Sequence, residues 1–216
     1  MTRYYVDSAN IDEIAPLLDT GVFTGVTTNP TLLARAGLAG KDLPALYAAQ
    51  RSVGSELFFA QVWGSGAVAM LETADFILAL GDDVVVKVPA THEGLKVACE
   101  VKARGARVLL TAVYAVHQAV TASACELSFV APYIGKLTDA GLDGPGMAIV
   151  MQEALNRGGG KTQVLAASVR SSHDLARMAV GGIEAFTLPV PIAEALLTDE
   201  MTERAAREFE RVSQDW

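Results

Sequence analysis

Apolar positions in this chain follow two alternating patterns. Short, almost continuous apolar runs at 4–7, 24–28, 57–62, 84–88, 108–112, 127–132, 164–168 and 185–188 predict strands. Between them, segments such as 11–18, 67–80, 92–103, 116–124, 147–155 and 172–178 repeat their apolar residues at helical spacing. Runs apolar on both faces are expected of buried parallel strands, and strand–helix alternation builds a parallel sheet. Eight such units without a linker predict an α/β fold, a (β/α)₈ TIM barrel. A doubly wound open sheet is the alternative, weakened because no Gly-x-Gly-x-x-Gly follows the first strand. Gly158-Gly159-Gly160 precedes a strand, whereas anion-binding glycine loops precede a helix, so it is expected to be a plain connection. Beyond the eighth strand lie a short helix at 192–197 and a second at about 200–214. No boundary interrupts the pattern, so residues 1–216 are expected to form one domain with an extra C-terminal helix.

The ends of the strands carry polar residues. In Val84-Val85-Val86-Lys87-Val88-Pro89, alternation puts Val85 and Lys87 on one face and Val84, Val86 and Val88 on the other. The valine face should pack on helices and leave Lys87 inside the barrel. A lysine is rarely buried unless paired. A structural ion pair or a snorkelling stem would explain Lys87, but barrel active sites lie at the C-terminal ends of strands. Burial disfavours the ammonium form, and a neutral amine attacks carbonyls. The same parity applies to Tyr5 with Asp7, Phe59 with Gln61, and Leu109 with Thr111. The second strand ends in Thr27-Thr28-Asn29-Pro30, the sixth at Tyr133 and the seventh at Ser168. Any one of these is easily a cap or a turn residue; Asp7 and Thr91 are good cap suspects. Together they describe a polar ring around one amine.

Composition narrows the partners. Over 216 residues, 51% are hydrophobic and 19% charged, with a formal net charge of −8, which argues against disorder and against a nucleic-acid surface. A small anionic substrate remains compatible, because a few local cations hold one phosphate. No apolar stretch is long enough to span a membrane, and the amino terminus lacks a signal-peptide core, so a cytoplasmic protein is expected. Cys99 and Cys125 make no disulfide framework and are expected to be buried thiols. His92, His117 and His173 lack metal-ligand spacing, so neither a metal nor another cofactor is expected.

Val6-Asp7-Ser8-Ala9, Gly25-Val26-Thr27-Thr28-Asn29-Pro30, Val84-Val85-Val86-Lys87-Val88-Pro89, Ala131-Pro132-Tyr133 and Ala166-Ala167-Ser168 together resemble the transaldolase family, in the same order and over nearly the whole chain. Ala60-Gln61-Val62 and Ala131-Pro132-Tyr133 are most similar to its fructose-6-phosphate aldolase branch; transaldolases proper usually place glutamate and phenylalanine at the positions of Gln61 and Tyr133. The resemblance implies that Lys87 forms a Schiff base and that Asp7 handles the proton of the hydroxyl beside the breaking carbon–carbon bond. It further implies that Asn29, with neighbouring Thr27, holds the ketose fragment, that Gln61 and Thr111 position a water, and that Tyr133 is an acid/base group. Ser168 and Arg170 match the phosphate site. Lys136 stands where the family usually has an arginine and offers a point charge in place of a planar fork. His117 stands where a small residue is usual and has no assigned role.

The reading that follows is an aldolase joining or splitting a small hydroxyketone such as dihydroxyacetone and an aldehyde such as glyceraldehyde 3-phosphate. A transaldolase that transfers the same unit between sugar phosphates is the alternative. A barrel that only binds sugar phosphates would require an inert Lys87, and a scaffold would leave the polar strand ends unexplained. The C-terminal stripe of Met201, Ala205 and Phe209 either covers its own barrel or reaches a neighbour. The family's short members form rings of five, often paired, so the resemblance implies a homo-oligomer of five or ten subunits.

Overall fold

The computed structural model describes residues 1–214. Eight strands form a closed parallel barrel in chain order: β1 (Arg3–Asp7), β2 (Phe23–Thr27), β3 (Leu57–Gln61), β4 (Val84–Pro89), β5 (Arg107–Val113), β6 (Phe129–Pro132), β7 (Gln163–Ala166) and β8 (Ala185–Leu188). β8 closes the ring by pairing with β1. The helices around it are α1 (Ile11–Asp19), α2 (Pro30–Arg35), α3 (Leu43–Ser52), α4 (Gly66–Leu78), α5 (His92–Ala103) and α6 (Val116–Ala124), followed by α7 (Ile134–Asp139), α8 (Gly144–Arg157), α9 (Ser172–Val180), α10 (Val190–Ala195) and α11 (Glu200–Ser213). The predicted strands all form, with ends moved by one or two residues. The short helices α2 and α7 escape the periodicity because a single turn or two carries too few apolar repeats to register.

Alternation along the strands sorts the core into two clusters. Val6, Val84, Val86, Val88, Val108 and Leu110 face outward and pack beneath the helices. Tyr5, Phe59, Val85, Leu109, Phe129, Ala131 and Leu165 fill the barrel itself. Three aromatic rings plug the interior: Tyr5 meets Phe59 edge-on at 5.0 Å, and Phe59 meets Phe129 at 5.4 Å. Gly25 makes room for that plug, because a Cβ there would sit 2.3 Å from the Leu57 carbonyl oxygen and 3.1 Å from the Tyr5 ring. The plug is a dry floor under whatever side chains stand at the strand ends.

Two expectations change. Cys99 is exposed on α5 and Cys125, at the end of α6, is only half-buried, so neither is a buried thiol. Helix periodicity places Cys99 on the outer side of α5, while Val97, Ala98 and Val101 take the core side. The helix α11 buries none of its residues; Met201 and Phe209 are 71% and 72% exposed. It therefore does not cover its own barrel. No helix among the described residues is long and apolar enough to cross a membrane.

Candidate active site

At the C-terminal ends of the strands the barrel opens into a cavity of about 510 Å³, lined among others by Asp7, Asn29, Gln61, Lys87, Thr111, Tyr133, Lys136, Ser168 and Arg170. Nine of the ten residues singled out in the sequence thus converge from β1 to β7 on one space. The tenth, Thr27, does not reach it. Thr27 is fully buried behind Asp7, donates to Asp7 Oδ1 at 2.6 Å, and lies 2.5 Å from the Thr187 hydroxyl on β8. Its place is that of a support for the carboxylate.

Lys87 stands third from the end of β4, paired in register with Gln61 on β3 and Leu109 on β5. Only 5% of its surface is exposed, and it makes no salt bridge among the described residues. The aromatic floor and apolar strand neighbours withhold water from the ammonium. Burial therefore pulls the Lys87 pKa below its ordinary 10.5, with the Asp7 carboxylate opposing in part. The outcome is an amine with a larger neutral fraction near neutral pH than an exposed lysine has.

Tyr133 follows β6 and comes within 3.0 Å of the Thr111 hydroxyl. Burial raises its pKa above the ordinary 10.0, the Asp7 charge adds to that rise, and the Thr111 contact offsets it in part. The phenol consequently keeps its proton through neutral pH and stands as a donor in the same cavity as the amine. Tyr114 packs edge-on against its ring at 5.8 Å and limits its swing. Asn29 caps α2: its Oδ1 accepts from the Thr31 and Leu32 amides at 3.0 and 3.1 Å, which fixes the side chain and leaves its NH₂ free to donate.

The rim carries cations. Arg170 presents both guanidinium nitrogens to Asp139, at 2.7 and 2.5 Å. Its fork is held in place, and Gly135 makes room for it, since a Cβ there would lie 2.3 Å from Arg170 Nε. Ser168 has a left-handed φ of 58°, unusual for a residue other than glycine. Plain alternation would turn Ser168 outward with Ala166; the left-handed turn interrupts alternation and brings it to the cavity lining. Ala112, next to Thr111, has φ 57° and accompanies a register shift between β5 and β6. Such strain persists where the surrounding structure enforces it. Arg35 from α2 and Thr187 from β8 also line the cavity. Neither shows in the sequence: Arg35 looks like an ordinary cation in a last helical turn, and Thr187 like a strand residue. His117 is exposed on α6 and is absent from the cavity lining. No group of three or more His, Cys, Asp or Glu able to hold a metal occurs among the described residues.

The profile of the Transaldolase/Fructose-6-phosphate aldolase family matches residues 4–215. Curated relatives include a "Probable transaldolase" of Alkaliphilus metalliredigens, 31% identical over 99% of this chain and 97% of its own. Another, from Thermoplasma volcanium, is 32% identical with the same coverages. Among solved structures, a mandelate oxidase mutant bound to an FMN adduct superposes with a TM-score of 0.60 at 17% identity, covering 91% of this chain and 66% of that one. At that identity the likeness is one of fold alone.

Proposed function

The chain belongs to the transaldolase/fructose-6-phosphate aldolase family, whose chemistry is of the aldolase–transaldolase type, and on that footing we propose that it is a Schiff-base aldolase with Lys87 as the covalent residue. The observation that carries this reading is the unpaired, buried Lys87 amine sharing one cavity with a protonated Tyr133 and with Asp7.

In the cleavage direction the neutral Lys87 adds to the ketone of a substrate such as fructose 6-phosphate, and water leaves to give an iminium. Asp7, steadied by Thr27, takes the proton of the hydroxyl on the carbon beyond the breaking bond. The bond's electrons flow into the iminium, and glyceraldehyde 3-phosphate departs. Tyr133 returns a proton to the enamine that remains. Water, oriented by Gln61 and Thr111, then hydrolyses the imine and frees dihydroxyacetone. Arg170 and Lys136, with Arg35 across the rim, provide the charge that a sugar phosphate needs, and Ser168 offers it a hydroxyl.

The alternative is transfer to a second aldehyde, the activity in the relatives' name. Two residues favour release. The Tyr133 phenol can protonate the enamine, whereas the phenylalanine of the transaldolases cannot. Gln61 can orient water but cannot accept its proton. Fructose 6-phosphate, or an analogue, should be cleaved with no acceptor sugar present, and borohydride with dihydroxyacetone should label the peptide bearing Lys87. Product release only on addition of an acceptor aldehyde would replace the aldolase by a transaldolase. Gln61→Glu should move the wild-type ratio towards transfer.

We also propose that α11 reaches a neighbouring subunit in a ring of five or ten, because a helix that covers nothing of its own barrel exposes Met201, Phe209 and Val212. A monomeric mass by light scattering at micromolar concentration would refute this.

A further inference from the structure

The two cysteines of this chain lie on neighbouring helices, and neither lines the cavity at the barrel mouth. Cys99 is on the exposed side of α5, and Cys125 is the residue that ends α6. Their sulfur atoms are 2.7 Å apart, with the Cys99 thiol directed at Cys125. Nonbonded carbon atoms rest about 3.5–4.0 Å apart and sulfur is the larger atom, so these thiols are in closer contact than packing alone produces. The chain has no third cysteine to compete. We infer that Cys99 and Cys125 are a redox-active dithiol that closes to an intramolecular disulfide and straps α5 to α6.

The exposed Cys99 is the sulfur that an incoming oxidant meets. With a low-molecular-weight disulfide as oxidant, the Cys99 thiolate attacks one sulfur, the S–S bond breaks, and one thiolate leaves with the electron pair. Cys99 then carries a mixed disulfide. Cys125 gives its proton to solvent and attacks the Cys99 sulfur, and the second small thiolate departs. Two protein thiols have lost two electrons, and one external disulfide has become two thiols. Half-buried Cys125 is the resolving sulfur: burial first, and then the contact with Cys99, pushes its thiol up to about 11, so it is the poorer initial nucleophile. The segment between the two cysteines contains all of β5, with Thr111, and all of α6. The bridge therefore closes a loop around one complete strand–helix unit, and by restricting the unfolded chain it stabilises the barrel.

Full-length protein treated with oxidised glutathione should lose two hydrogen masses, and peptide mapping should join Cys99 to Cys125. Thiol titration should fall from two groups to none, and Tm should rise by roughly 5–10 °C, the scale for a disulfide in a domain of this size. Dithiothreitol should reverse all three. Cys99→Ser and Cys125→Ser should each abolish the Tm response, and Cys125→Ser should stop at a stable glutathione adduct on Cys99. Stable adducts on the wild type, disulfide-linked dimers, or two thiols that remain titratable would overturn the inference. A bridge that forms without raising Tm would overturn its stabilising role.

Discussion

The two ends of this barrel differ in what their cavities are made of. The mouth encloses about 510 Å³. The opposite end holds a larger cavity of about 640 Å³, where Lys102, Arg107, Glu126 and Lys161 stand among the starts of β5 to β7 and the loops before them. Size alone would favour the latter. The difference lies in burial. At the mouth, charged and polar groups stand at the ends of otherwise apolar strands, with Lys87, Thr111, Thr27 and Thr187 all buried. At the other end, Lys161 is exposed and Arg107 is spent on the Asp82 carbonyl. Polar groups in solvent cost nothing and imply nothing. A buried unpaired amine is costly to the fold, and such local violations cluster at functional sites.

The sharpest way to break this comparison is to remove one lysine from each end. Lys87→Met should reduce cleavage of fructose 6-phosphate to background and abolish borohydride labelling, while Lys161→Met should change neither. The two should also part in stability. The folded pKa of Lys87 lies below its unfolded value of 10.5, so the folded state binds fewer protons than the unfolded one in between, and stability rises with pH across that window. The penalty is full below the folded pKa and disappears above 10.5. Lys87→Met should therefore hold or raise Tm at neutral pH, with the gain fading towards pH 10.5. A fall in Tm at neutral pH would contradict an unpaired, desolvated amine.

Next in size is Tyr133→Phe, expected to lower aldol activity by at least roughly tenfold, the lower part of the range for an acid/base group. In the wild type, kcat/KM should climb with pH through the depressed pKa of Lys87 and fall again beyond 10, where Tyr133 loses its proton. The variant should retain the acid limb and lose the alkaline one. An unchanged alkaline limb would assign it to another group.

Arg170→Ala should act on KM. Removing the fork that Asp139 holds at the rim should raise KM for a phosphorylated substrate several-fold more than for its unphosphorylated analogue. Lys161→Ala, at the other end, should leave both unchanged. Equal effects of Arg170→Ala on both substrates would remove Arg170 from the anion site.

These contrasts also mark how far the sequence could be read. Parity in β4 was enough to place Lys87 with Val85 inside the barrel, because strand alternation is a local rule that tertiary packing here obeys. The same rule orients Asp7, Gln61 and Thr111. It fails at Ser168, where a left-handed residue interrupts alternation in a segment with no glycine to signal it. It is silent on contacts between distant residues: Thr27 with Thr187, Arg170 with Asp139, Cys99 with Cys125. Each depends on where the closed ring sets one strand or helix against another. The expectation of buried thiols fails because composition speaks only of averages, whereas helix phase decides each side chain.

The smallest effect tests the comparison most closely, because it sets two buried threonines side by side. Thr27 at the mouth donates to Asp7 Oδ1 at 2.6 Å, and Thr162 at the other end donates to the Leu127 carbonyl at 2.7 Å. Each hydroxyl is nearly or fully buried. Valine in place of either keeps the shape, removes one donor and leaves an acceptor short of a partner, which costs about 1–3 kcal/mol. The two variants should accordingly lose similar amounts of thermal stability. Only Thr27→Val should change turnover, because the carboxylate it steadies receives a proton in the bond-breaking step. A drop of a few-fold in kcat with KM nearly unchanged is expected there, and no change in kcat for Thr162→Val. If the two variants lost kcat in equal proportion, the effect would be one of general destabilisation, and Thr27 would be no more a positioning residue than Thr162.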